Sequence, residues 1–168
     1  MPKLRAYVET TIPSFYYDFR ESPAVVSRRE ATRRWWADAA ERYALVTSAI
    51  VQKELAAGTS GRVPLRLALL AQMPTLEFTL PVAEIVRHYL QHKLMPAKPV
   101  DDAVHLALAS YYGCDLIVTW NCRHLANPNK AVHIRRINAG LGIAVPRLVT
   151  PQELLQEEKS DERRMDRG

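Results

Sequence analysis

The residues of this chain able to do chemistry are mostly oxygen donors that follow apolar runs. Glu9-Thr10-Thr11 follows Leu4–Val8, and Ser48 follows Ala44–Thr47, with Glu54 about two helical turns further on. Asp101 and Asp102 open a segment of helical spacing, and Trp120-Asn121 follows Leu116–Thr119. Several carboxylates and an amide could therefore meet at one edge of a sheet. Like charges packed together repel and resist ionisation unless a cation offsets them. Ligand sets made only of oxygen select Mg²⁺ or Mn²⁺ over zinc or copper.

Taken singly, each residue also has a plain structural reading. Glu9 could be a solvated charge at a strand end. Glu54 lies beside Val51 and Leu55, near a buried face, where an ion pair with an arginine would satisfy it. Asp101 or Asp102 could serve only as a helix N-cap, and Asn121 as a turn residue. His105 follows Asp102 by three residues and shares its helix face, which suits either a core histidine or one that assists a site.

Positioning these groups falls to alternating strand-like and helix-like segments. Strands are expected at Leu4–Val8, Ala44–Thr47, Leu76–Leu80, Leu116–Thr119 and Arg147–Thr150. Between them, the patterning predicts helices over Ser27–Arg42, from Ser48 to about Ala57, Gly61–Met73, Pro81–Leu94, Asp101–Tyr112 and Asn129–Ala139. Strands separated by helices imply right-handed crossovers and a parallel sheet covered on both faces. The functional crevice of such a sheet lies beyond the carboxyl ends of its strands.

At 168 residues the chain suits one domain, here 1–150, with 151–168 as a charged helical tail. No run approaches the ~20 apolar residues of a membrane helix, and the start lacks the apolar core of a secretory signal. A soluble, cytoplasmic protein with no membrane partner is therefore expected. Cys114 and Cys122 flank an extended-looking run that would hold them ~26 Å apart, too far for a disulfide. Both are read as ordinary buried or half-buried thiols of a reducing compartment. The net charge is +5; the tail carries six acidic and four basic residues, so the first 150 residues hold +7. A basic body is compatible with a polyanion such as nucleic acid. Arg28, Arg29, Arg33 and Arg34 could contact phosphates or simply form a solvated helix face, and Trp35-Trp36 could stack bases or pack in the core.

Four segments together resemble the PIN-domain family, and within it the VapC-like toxins of bacterial toxin–antitoxin systems. They are Tyr7-Val8-Glu9-Thr10-Thr11, Thr47-Ser48 through Glu54-Leu55, Asp102 through Ala109, and Leu116 through Asn121. The resemblance spans roughly the first 150 residues. It implies an α/β fold of three α/β/α layers around a central parallel sheet of four to five strands. The implied activity is a metal-dependent endoribonuclease using Mg²⁺ or Mn²⁺, commonly a homodimer and, as a toxin, paired with an antitoxin protein.

Carried onto this chain, the metal carboxylates would be Glu9, Glu54 and Asp102, with Asn121 the fourth catalytic position. Thr10, Thr119 and Asn121 would form the surrounding polar shell, with Thr10 and Thr119 on the substrate side. Independently of the resemblance, the segment Arg123 to Lys130, with His124, lies next to the expected crevice, so Arg123 and His124 are candidates for guiding RNA. Two positions depart from the family pattern. The first acid is usually Asp and is Glu9 here; the fourth is commonly Asp and is Asn121, whose amide oxygen carries no charge. A catalytically weakened PIN-like module that binds RNA or protein is the alternative. A nucleotide-binding α/β enzyme is disfavoured, because Glu9 stands where a glycine-rich phosphate loop would.

Overall fold

The computed structural model describes residues 2–168. Five strands form one all-parallel sheet: β1 (Leu4–Val8), β2 (Tyr43–Ser48), β3 (Thr75–Leu76), β4 (Leu116–Val118) and β5 (Arg147–Val149). Their spatial order is β3-β2-β1-β4-β5. The chain steps outward from β1 to β3, then returns to the other side of β1 for β4 and β5. The direction of winding thus reverses between β1 and β4, and their carboxyl ends frame the crevice where sheets of this kind bind ligands.

Among the described residues, eight helices flank the sheet: α1 (Thr11–Tyr16), α2 (Pro23–Arg42), α3 (Ala49–Ala56), α4 (Val63–Leu70), α5 (Leu80–Gln91), α6 (Asp101–Tyr111), α7 (Pro128–Leu141) and α8 (Pro151–Met165). This is the α/β/α architecture expected from alternating elements. The central strands need apolar residues facing both layers: Ala6, Tyr7 and Val8 of β1 and all of β4 are buried. Trp35 and Ala39 pack the buried side of α2 into the same core.

Local chemistry explains where the elements begin and end. Ser48 caps α3, its hydroxyl accepting from Val51 N at 3.4 Å. Thr150 caps α8 by accepting from Glu153 N and donating to Glu153 Oε1, both at 3.2 Å. Gly142 ends α7 with φ 68°, a left-handed turn that glycine adopts without a Cβ penalty. Helix α8 is not a free tail in this structure: Leu154 is buried, and Glu158 pairs with Arg42 of α2.

Several expected boundaries move. Helix α2 starts at Pro23, not Ser27, because Pro23 fits the first turn and Ser22 supplies the extended residue before it. Strand β3 is Thr75–Leu76 rather than Leu76–Leu80; Pro81 suits the first turn of α5, so the chain turns helical at Leu80. Helix α1 has no expected counterpart, since its six residues are too few to display a period. Cys122 is exposed, because β4 ends at Val118 and the chain turns outward before reaching it; Cys114 is buried and both thiols are free.

Candidate active site

Glu9 is the first residue beyond β1, and its amide donates to Val118 O of β4 at 3.2 Å. It is 3% exposed. Its Oε2 accepts from Thr11 N at 3.0 Å, from Thr11 Oγ1, and from Thr119 Oγ1 at 2.7 Å. Burial raises the Glu9 carboxyl above its ordinary range, opposed by the nearby His105 charge and by these donors.

Glu54 sits on α3 and Asp102 in the first turn of α6. Glu54 Oε1 accepts from Thr10 Oγ1 at 2.9 Å and from His105 Nε2 at 2.6 Å. The partner of Glu54 is thus a histidine, not the arginine that its near-buried position suggested. Burial pushes its carboxyl up, but the hydrogen bond and charge of His105, with the Thr10 hydroxyl, outweigh it and leave the group below its usual range. Asp102 Oδ1 accepts from Asn121 Nδ2 at 3.0 Å.

His105 is the hub of this cluster. It is fully buried, yet the charges of Glu9, Glu54 and Asp102 all act on it. Burial lowers its pKa, and the Glu54 hydrogen bond together with the three carboxylates overcomes this and raises it. Its Nδ1 lies 2.7 Å from Tyr7 Oη, which lies 2.7 Å from Ser48 Oγ. With an imidazolium donating at both nitrogens, Tyr7 Oη accepts from Nδ1 and donates to Ser48 Oγ. Burial, and then the Glu9 and Glu54 charges, keep the Tyr7 phenol protonated well above its normal range.

A pH dependence of stability follows. His105, with a raised pKa, stabilises the fold in full below its ordinary value of 6.5, and this is lost as pH climbs through the raised value. Glu54, with a lowered pKa, contributes in full above 4.5 and loses it on acidification. In chelator, urea unfolding should show wild type most favoured over His105→Gln between pH 4.5 and 6.5, with the margin shrinking at higher pH. A margin that stays flat from acid to alkaline pH would mean that His105 carries no charge.

The remaining expected residues divide. Thr10 and Thr119 have their hydroxyls on Glu54 and Glu9, and Thr119 is completely buried, so both orient carboxylates instead of facing outward. Asn121 begins the turn after β4; its amide donates to Asp102, and its Oδ1 accepts from His124 N at 3.1 Å. Arg123 is exposed and His124 half-buried in that turn. Thr11, Tyr7 and Ser48 join the site without being among the expected metal, catalytic or substrate-binding residues; Thr11 and Ser48 carry a local cue because each follows an apolar run, and Tyr7, inside its strand, does not.

The donor chemistry suits a hard divalent cation. Each of the three carboxylates commits one oxygen to protein donors, and among the described residues no hydrogen bond reaches Glu9 Oε1, Glu54 Oε2 or Asp102 Oδ2. The spacing is open: among the described residues, no three His, Cys, Asp or Glu side chains stand close enough to enclose one ion. Holding a single ion would require these carboxylates to stand closer together than they do here.

Comparison with known families identifies the fold's origin. The PIN domain model matches residues 24–130. The chain belongs to the PIN domain family. That span includes Glu54, Asp102 and Asn121 but not Glu9. PIN domains are generally nucleases and generally use divalent metal ions. Among solved structures, this PIN domain is similar to VapBC2 from Rickettsia felis, bound to a DNA fragment from their promoter, at 14% identity and a TM-score of 0.49. It is similar also to FitAcB from Neisseria gonorrhoeae, at 16% identity and a TM-score of 0.48. Each comparison covers 88% of this chain and 98% of the other. Comparison with curated proteins gives no match. Among the described residues, no helix is long and apolar enough to cross a membrane.

Proposed function

We propose that this PIN domain is an Mg²⁺- or Mn²⁺-dependent endoribonuclease acting as the toxin of a toxin–antitoxin pair in the cytoplasm. One observation carries the nuclease reading: Glu9, Glu54 and Asp102 all bear electrostatically on the buried His105 beside the sheet's switch point, and among the described residues each keeps one carboxylate oxygen free of protein donors. The toxin role, an antitoxin partner and a homodimer rest on the sequence resemblance to VapC-like chains.

In this reading Glu9, Glu54 and Asp102 hold the cation. When bound, a divalent ion supplies Lewis acidity towards a phosphodiester and lowers the pKa of a water. Thr11 and Thr119 fix the Glu9 carboxylate, Thr10 and His105 fix Glu54, and Asn121 fixes Asp102. Arg123 and His124, in the turn beside the crevice, guide RNA phosphates. His105 also places a positive charge among three negative ones, which eases their approach to each other.

A second reading, an RNA- or protein-binding module that does not cut, draws on Asn121, whose neutral amide replaces a charge that the family pattern usually has. Metal titration and cleavage separate the two. Calorimetry with Mn²⁺ should show uptake, and single-stranded RNA should be cut in Mn²⁺ and spared after chelation. RNA left whole in both Mg²⁺ and Mn²⁺, with no heat of metal binding, favours the non-cutting module.

A further inference from the structure

A second surface lies at the end of α1, the helix that follows the Glu9 turn. Trp120 N donates to Thr11 Oγ1 at 2.8 Å, beside Glu9. The Arg28 guanidinium lies 5.3 Å from the Trp120 ring and 5.4 Å from Phe15 of α1. At the far end of α1, Arg33 lies 4.7 Å from the Tyr16 ring and 5.4 Å from Phe19. Arg29, at 5.5 Å, and Arg62, at 4.6 Å, also pack on Phe19.

Phe19 remains 46% exposed despite three guanidinium neighbours. Arg29 and Arg33 are pinned by backbone carbonyls, donating to Asp18 O at 2.7 Å and Tyr16 O at 2.8 Å. Their charges are therefore held in place without being neutralised. Among the described residues, Arg29, Arg33 and Arg62 form no ion pair; the carboxylate of Asp18 is taken by Arg20. The result is a half-exposed phenyl ring with three guanidiniums packed over it, none of them in an ion pair among the described residues.

We propose that Phe19 with Arg29, Arg33 and Arg62 is a platform for single-stranded RNA, stacking a base on the phenyl ring and holding the adjoining phosphates. This rests on the ribonuclease reading and adds to it the path that the strand takes away from the carboxylates. Sequence-tolerant strand binding combines an aromatic stacking surface with a cationic track along the backbone. An acidic peptide would use the arginines but gain nothing specific from the phenyl face.

The test is fluorescence anisotropy with a labelled 12-nucleotide single-stranded RNA and the full-length chain in chelator, where nothing is cut. Phe19→Ala should weaken binding roughly 5- to 150-fold, the range for loss of one stacked base. Arg62→Ala should lower the slope of log affinity against log salt by about 0.7, the value for one phosphate contact on a single strand. Both variants should lose most of the preference of the wild type for the 12-mer over a dinucleotide. Arg87→Ala, on the exposed face of α5, is the control and should bind as wild type. Wild-type affinity in Phe19→Ala and Arg62→Ala, with unchanged Tm, overturns the platform. So does Phe19-dependent binding of a polyglutamate peptide by a protein that ignores the RNA. If both variants bind RNA poorly while the wild type cuts nothing in any metal, the platform stands and the nuclease reading falls. If they bind as wild type while cleavage depends on Asp102, the reverse holds.

Discussion

Asp102→Asn should reduce Mn²⁺-dependent RNA cleavage by about 10²- to 10³-fold, the several kcal/mol of transition-state stabilisation expected from a metal-holding carboxylate. The substitution removes charge and little else. Its remaining oxygen can still accept from Asn121 Nδ2, and Asp102 stands in the first turn of a helix whose residues 103–110 are buried. Secondary structure and Tm should therefore stay near wild type while metal uptake weakens. Glu54→Gln should lose activity similarly, but it also breaks the charged contact with His105, so some stability is expected to go with it. Full cleavage by Asp102→Asn, with undiminished Mn²⁺ binding, would remove Asp102 from the site and with it the mechanism proposed here.

The largest expected loss of stability comes from Trp35→Ala. Trp35 is 0% exposed and among the largest fully buried side chains of the protein. It sits on the inner side of α2, with its ring 6.1 Å from Trp36 and 6.0 Å from Tyr43 at the start of β2. Truncation removes the buried ring and leaves a cavity that helix and sheet fill only in part, a cost of about 3–5 kcal/mol. For a chain of this length that lowers Tm by roughly 6–20 °C at 2–4 °C per kcal/mol. Because the ring is sealed from solvent, RNA binding by the folded fraction should be unchanged. A thermal melt that barely moves, paired with a clear loss of RNA affinity, would mean that this tryptophan is a surface stacking residue after all.

How much of this was legible beforehand differs from residue to residue. Strands β1 and β4 announce themselves because a parallel central strand buries both faces, so Leu4–Val8 and Leu116–Val118 read as apolar runs in any setting. The cap at Ser48 is equally local, since a hydroxyl meets an amide three residues on. The oxygen donors could be picked out for a related reason. A carboxylate just past an apolar run must lie near the carboxyl edge of the sheet, whatever the strand order turns out to be.

What remained hidden depends on partners far apart in the chain. The strand order β3-β2-β1-β4-β5, which places Glu9 opposite Thr119, is set by how helices pack across the sheet. The Tyr7–His105–Glu54 chain joins residues from three elements, and only packing shows whether a histidine beside an acidic residue faces core or ion. The same holds for Thr119, whose hydroxyl faces Glu9 and not solvent, and for Arg33, whose partner rings lie on the segment ending α1. Side-chain type and spacing are properties of neighbours along the chain and can be read from it directly. Which donors share a charge, and which are cut off from water, is decided only when distant segments pack together and lower the dielectric around them.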